Sequence, residues 1–190
     1  MLHYLKNIDI EKSCPEGFKE IIFGAGCFWG VEKKFWDQAG VFITSVGYSG
    51  GDIVNPSYRQ VCYENTNHVE VVRIFYDPQE ITLDNLLKIF WECHDPTQGM
   101  RQGNDIGTQY RSVIYTNNED DLEAALESKK IYQDELIKNS FKSDNENSIT
   151  TEIELIKNYF LAEEYHQQYL AKNPNGYCGI GGTGCSFPIE

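Results

Sequence analysis

KEIIFGAGCFWGVEKKFWDQAG, residues 19–40, is the stretch whose reading decides the fold. Residues 19–23 read as a short strand that ends in Gly24-Ala25-Gly26. From about residue 27 to residue 38 the pattern turns helical, with Phe28, Val31, Phe35 and Ala39 roughly along one face. Gly40 closes this helix, as a glycine just past a helix end often does. A second strand is expected over 41–48, running into the loop signal Ser49-Gly50-Gly51-Asp52.

Outward from this strand–helix–strand unit, residues 55–67 are polar and read as loop with a helical turn. The clearest strand is 68–76, HVEVVRIFY, rich in branched and aromatic residues and stopped by Asp77-Pro78. Thr82 then caps a helix to about residue 94, with Leu83, Leu86, Leu87 and Phe90 at helical spacing. A polar loop follows over 95–107, a strand over 108–116, a charged helix over about 119–141, a strand over 150–155 and a short helix over 162–172. No period is visible over 173–190, where glycines crowd. Some neighbouring strands have no helix between them, which favours α+β over a parallel doubly wound sheet. The expectation is a single domain, a mixed β-sheet flanked by helices with a ferredoxin-like α/β sandwich core, and a Gly-rich C-terminal coil. Residues 1–17 read as an extension, 18–172 as the α+β domain and 173–190 as the tail.

The net charge of −13 argues against nucleic acid and anionic membrane surfaces as partners. No apolar run of signal-peptide or membrane-spanning length occurs, so a cytoplasmic home is expected. The six cysteines, Cys14, Cys27, Cys62, Cys93, Cys178 and Cys185, have neither zinc-site spacing nor a Cys-x-x-Cys pair. No metal is expected, and in a reducing compartment disulfides tend to be transient and catalytic.

Cys27 opens a helix after a strand and a glycine pair. First-turn N–H groups lack intrahelical partners, and the helix dipole favours negative charge there by roughly 0.3–1 kcal/mol. That shift suits a nucleophile, because a free thiol near pKa ~8.5 is only slightly ionised at neutral pH. On spacing alone a small residue packing the helix start explains Cys27 equally well. A dinucleotide-binding turn does not fit, because bulky Phe28 and Trp29 stand where phosphates would lie. Gly179, Gly181 and Gly184 match a Gly-x-Gly-x-x-Gly string, but no strand precedes it and no helix follows.

Beyond these readings, the chain resembles the methionine sulfoxide reductase A family. The resemblance begins at Gly26-Cys27-Phe28-Trp29-Gly30 and continues through Gly47-Tyr48-Ser49-Gly50-Gly51, Asn55-Pro56-Ser57-Tyr58 and His68-Val69-Glu70-Val71. It runs on through His94-Asp95-Pro96-Thr97-Gln98 and the stretch from Gly103-Asn104-Asp105 to Gln109-Tyr110-Arg111-Ser112. It closes with Glu163-Glu164-Tyr165-His166-Gln167 and Gly176-Tyr177-Cys178-Gly179, leaving the first seventeen residues outside.

The resemblance implies an oxidoreductase that reduces methionine S-sulfoxide, protein-bound and free, in repair of oxidative damage. It implies Cys27 as nucleophile, Glu70 as acid, Tyr58 and Tyr110 as phenol donors, and Asp105 as a substrate-orienting carboxylate. Phe28 and Trp29 would wall a pocket for the S-methyl group. Independently, a strand at 68–76 puts Glu70 on one face with Val72 and Ile74, where desolvation would raise its pKa. The resemblance further implies that oxygen left on Cys27 as a sulfenic acid is resolved by Cys178. Cys185 would then take over the disulfide and present it outward to thioredoxin. No cofactor is expected beyond an external reductant, thioredoxin or dithiothreitol. Cys62 and Cys93 read as packing residues, Cys14 as a terminal thiol, and His94 and His166 as structural hydrogen-bond partners near helix ends. Two other readings stay open on the residues alone. One is a Cys–His hydrolase or acyltransferase pairing Cys27 with His68, His94 or His166; the other is a non-catalytic module that binds oxidised methionine.

Overall fold

The computed structural model describes residues 1–139 and 148–189. Its elements in chain order are β1 (Lys19–Ala25), α1 (Phe28–Phe35), β2 (Val41–Ser49), α2 (Tyr58–Tyr63), β3 (Val69–Tyr76) and α3 (Leu83–Cys93). A small hairpin, β4 (Arg101–Gln102) and β5 (Asp105–Ile106), precedes a 3₁₀ turn at Thr108–Tyr110 and strand β6 (Ser112–Thr116). Helix α4 (Glu119–Asn139), strands β7 (Glu152–Leu155) and β8 (Phe160–Leu161) and the single turn α5 (Tyr169–Lys172) complete the chain. The main sheet has the order β7-β6-β1-β3-β2-β8, antiparallel throughout except for the β6–β7 pair. Strands β6, β1, β3 and β2, with α1 and α3 as crossovers, give the ferredoxin-like arrangement expected from the sequence.

The sheet has two unlike faces, and strand alternation decides which side chains go to which. Ile21, Phe23, Val46, Tyr48, Val72, Ile74 and Ile114 pack under the helices with Phe28, Phe35, Leu87, Phe90 and Trp91. On the other face Ile22, Val69, Val71, Val113 and Tyr115 are covered by Ile156 and Tyr159. Ile43 and Phe75 are covered there by the N-terminal segment through Ile8 and Ile10. Thus the extension closes part of the sheet's second face. Edge strand β8 is two residues long and pairs only at Gly47 and Tyr48 of β2.

Several expected elements differ at their ends. Cys27 is the N-cap of α1 (φ −53°, ψ 119°), and the helix stops at Phe35. The strand expected over 108–116 starts only at Ser112, because Gly107 at φ 154° opens a tight turn that carries Tyr110. The helix expected over 162–172 is confined to α5. Glu163–Gln168 instead forms turns, fastened where the Gln167 side chain bonds to both Val46 N–H and Val46 C=O at 2.8 Å. The long charged helix is seen to Asn139, and the rest of its expected span lies outside the described residues. The tail from residue 173 to 189 is coil.

Gly47 is required by close approach rather than by conformation. A Cβ there would lie 2.5 Å from the Phe160 carbonyl oxygen and 2.6 Å from the Tyr159 ring. We expect Gly47→Ala to lower stability by about 1–3 kcal/mol, the usual range for overpacking. Urea unfolding should show a lower midpoint at an unchanged slope.

Candidate active site

The site forms where β1 leaves the sheet. Gly26, at φ 96°, turns the chain so that Cys27 caps α1 and the first-turn N–H groups face its sulfur. Across from this turn, Glu70 stands on the helix-facing side of β3, in register with Tyr48 of β2. It is 2% exposed, and one carboxyl oxygen accepts the backbone N–H of Phe28 at 3.2 Å. Glu70 thus shares the helix-facing side of β3 with Val72 and Ile74, as strand alternation predicts.

Burial dominates the electrostatics. It raises the Glu70 pKa to about 8; the Phe28 N–H pulls it down and the Asp105 charge pushes it up. Glu70 is thus mostly protonated at neutral pH. Burial also pushes the Cys27 thiol well above its usual range, and the Glu70 charge adds to this, while the N–H groups of Trp29 and Gly30 work against it. The expected easily ionised thiol is overturned for the resting site. A helix N-terminus contributes ~0.3–1 kcal/mol, whereas burial can move a pKa by up to ~3–5 units at about 1.4 kcal/mol each. The resting pair is a neutral thiol beside a neutral carboxylic acid.

Two phenols complete the polar side. Tyr58 begins α2, where Ser57 and Gln60 form a capping box and Glu163 accepts the Tyr58 N–H at 2.9 Å. Tyr110 ends the 3₁₀ turn, its N–H bonded to Gly107 C=O at 3.1 Å. Burial, reinforced by the Glu70 charge, raises both hydroxyls, so they stay protonated donors. Cys62, read from sequence as packing, lies close enough to Tyr58 to affect its proton and belongs to the site's rim. Cys93 is a packing residue in the core.

The apolar side is an aromatic cradle. Phe28 is buried, 5.1 Å from His166 and 6.0 Å from Tyr48 between ring centres. Trp29 is partly exposed; its indole N–H donates to His166 Nδ1 at 3.1 Å, and its ring stacks on Tyr169 at 3.9 Å. Residues 163–169 contribute more to this cradle than their sequence pattern indicates. His166 makes the structural hydrogen bond expected of it, to Trp29, and also touches the rings of Phe28, Trp29 and Tyr58, while Tyr169 stacks on Trp29. No period signals this placement, because residues up to 168 form turns and only Tyr169 begins a helix.

The tail lies over this site. A Cβ on Gly30 would meet Cys178 Sγ at 3.2 Å, which places the second thiol against the first turn of α1. Tyr177 donates to Asp105 of β5 at 3.2 Å. Cys185 is seated against α4, where its thiol donates to Glu135 C=O at 3.4 Å and its own C=O accepts from Tyr132 at 3.2 Å. Phe187 beside it is buried and anchors the tail to Lys88 and Glu92. All six cysteines are unpaired.

The histidines that a hydrolase would need are engaged elsewhere. His68 bonds Gly51 N–H and Ile53 C=O, while His94 bonds Phe90 C=O and Ser112. His166 accepts from Trp29. Among the described residues no cluster of His, Cys, Asp or Glu is placed to hold a metal ion, and no helix is long and apolar enough to cross a membrane.

Residues 19–184 match the family model described as Peptide methionine sulfoxide reductase. The chain belongs to this family. Peptide methionine sulfoxide reductase MsrA of Vibrio vulnificus is 56% identical over 187 residues, covering 98% of this chain and 87% of the relative. The likeness therefore reaches into the first seventeen residues, beyond the motifs. The solved methionine sulfoxide reductase A of Corynebacterium diphtheriae superposes with a TM-score of 0.81 at 41% identity, covering 98% of this chain and 89% of that one. A structure of Mxr1 from Saccharomyces cerevisiae in complex with Trx2 matches with a TM-score of 0.55 at 28% identity, covering 83% and 88%. As a peptide methionine sulfoxide reductase the chain is an oxidoreductase, and the Cys–His hydrolase reading falls away.

A buried acid with a raised pKa stabilises the fold fully below its unfolded value and progressively less as pH rises through its folded one. For Glu70 that window runs from 4.5 to about 8. Stability of the wild type relative to Glu70→Gln should therefore fall across this window, read from urea midpoints at each pH.

Proposed function

We propose that the chain reduces methionine S-sulfoxide, protein-bound and free, through a sulfenic acid on Cys27. The observation that carries this reading is the protonated, buried Glu70 hydrogen-bonded at the start of the Cys27 helix. Protonating the sulfoxide oxygen makes the substrate sulfur more electrophilic toward a thiol, and general acids supply roughly 10²–10⁴-fold of rate in such steps. The substrate's S-methyl group enters the cradle of Phe28 and Trp29, whose aromatic faces suit a polarizable sulfur. Tyr58 and Tyr110 donate to the sulfoxide oxygen, and Asp105 orients the substrate's polar backbone.

The protons balance. Glu70 gives its proton to the sulfoxide oxygen as the Cys27 sulfur attacks the substrate sulfur and bonds to it, and the thiol proton replaces it on Glu70. The hydroxyl then passes to the Cys27 sulfur as the bond between the two sulfurs and the substrate's sulfur–oxygen bond break, so methionine leaves and Cys27 carries S–OH. A thiol of high pKa fits this shuttle, since it needs no standing thiolate. Cys178, against the first turn of α1, then condenses with the sulfenic acid, releasing water and forming a Cys27–Cys178 disulfide. Attack by Cys185 on Cys178 frees Cys27 and leaves a Cys178–Cys185 disulfide. That step requires Phe187 to leave its seat, which would also bring the disulfide to the surface. Thioredoxin supplies the final two electrons, a role supported by the yeast relative's complex with Trx2. Dithiothreitol substitutes in vitro. The cycle serves repair of oxidised proteins in a reducing compartment, and we assign it to the cytoplasm. Residues 18–172 form the catalytic unit and 173–190 the recycling tail.

Incubation with a methionine sulfoxide peptide and dithiothreitol should remove one oxygen by mass. Cys27→Ser should abolish this, whereas Cys178→Ser should still form about one methionine per enzyme, because the sulfenic acid precedes resolution. A Cys178→Ser enzyme yielding no product would overturn the order of steps. The single-turnover rate should also fall as pH rises through about 8, where Glu70 loses its proton, and Glu70→Gln should cost roughly 100-fold or more.

A further inference from the structure

Three hydrogen bonds converge on a buried carboxylate that the reaction does not use. Glu32 lies on α1, fully buried. Thr44 Oγ1 of β2 donates to its Oε1 at 2.9 Å, and Gln168 Nε2 donates to the same oxygen at 2.7 Å. The backbone N–H of Gln168 donates to Oε2 at 2.8 Å. The N-terminal segment closes the far side of this cluster. His3 Nδ1 accepts the N–H groups of Leu5 and Lys6, so its proton sits on Nε2, 3.2 Å from Thr44 Oγ1. Tyr4 N–H donates to Gln168 Oε1 at 2.9 Å.

Gln168 occupies the left-handed region, φ 48°, ψ 43°. A residue with a long side chain stays there only where its surroundings hold it. Directly beside it in the chain are the cradle residues: His166, which accepts the Trp29 indole N–H, and Tyr169, which stacks on the Trp29 ring. The neighbouring Gln167 is fixed separately to β2, so the turn is held at two points.

We propose that Glu32 is a positioning residue for the substrate cradle: its carboxylate holds Gln168 in the left-handed conformation that keeps His166 and Tyr169 against Trp29. The inference deepens the proposed function, because it rests on Trp29 walling the S-methyl pocket. Glu32 acts entirely through Gln168 and touches no reacting atom. Its loss should therefore weaken substrate binding more than it slows the sulfur chemistry.

The test is Glu32→Gln, which keeps size but places an NH₂ group among three donors. We expect KM for a methionine sulfoxide peptide to rise about tenfold, with the single-turnover rate at saturation within about twofold of wild type. The indole N–H proton resonance of Trp29, identified by its disappearance in Trp29→Phe, should move upfield as its bond to His166 loosens. Thr44→Ser, which keeps the hydroxyl, should match wild type in both readouts. Should Glu32→Gln fail to fold, Gln168→Gly decides by the same two readouts, since glycine accepts the backbone conformation without the side-chain bonds. A folded variant with unchanged KM and an unmoved Trp29 resonance overturns the proposal, as does a fall in rate at unchanged KM. Absence of sulfoxide reduction by the wild type would instead sink the functional reading, while the Trp29 resonance would still report on Glu32.

Discussion

The bond from Phe28 N–H to the Glu70 carboxyl joins the two halves of the site. It runs from the first residue of α1 to β3, one of the two central strands, and so sets where the Cys27 sulfur stands relative to a proton. Glu70 is deep enough for water to be excluded, which is why it holds its proton near neutrality. The same burial keeps Cys27 a thiol. Had the carboxyl been solvated, it would be ionised and would disfavour a thiolate at Cys27. The site thus depends on desolvation shared by two neighbouring groups rather than on the helix dipole.

Around that pair, the fold supplies support from distant parts of the chain. The phenol of Tyr58 is placed by Glu163, which also accepts from Tyr48 at 2.9 Å. Glu163 therefore ties a loop beyond β8 to β2 and α2 at once. Gln167 and Gln168 fasten the same loop to β2 and α1. Rigid strands and helices carry Glu70 and Cys27, while irregular segments held by buried polar bonds carry the cradle. Each of those bonds satisfies a group that would otherwise cost free energy in the interior.

Much of this was legible in the sequence where local period carried it. Alternation placed Glu70 with Val72 and Ile74, and the glycines before Cys27 marked the turn into α1. The motifs named the family because they lie in order along one chain. Legibility ended where long-range bonds replace periodicity. Residues 163–168 have helical spacing yet form turns, because Gln167 and Gln168 spend their side chains on β2 and α1. The ionisation of Cys27 was misjudged for a related reason. A sequence displays a helix start but not the depth at which it will be buried. The tail shows no period either, and the burial of Phe187 two residues on fixes the seat of Cys185 against α4.

The sheet ends in two modest margins, β8 with two residues and β7 with four, the latter carrying Glu152 and Glu154. Glu152 is already bound to Arg111 and Tyr115. An oxidised, partly unfolded polypeptide brings many unsatisfied backbone groups that would zip onto a long free strand edge. Neither margin offers it the length to do so. A passing unfolded chain therefore finds no long main-chain ladder to join at either end strand.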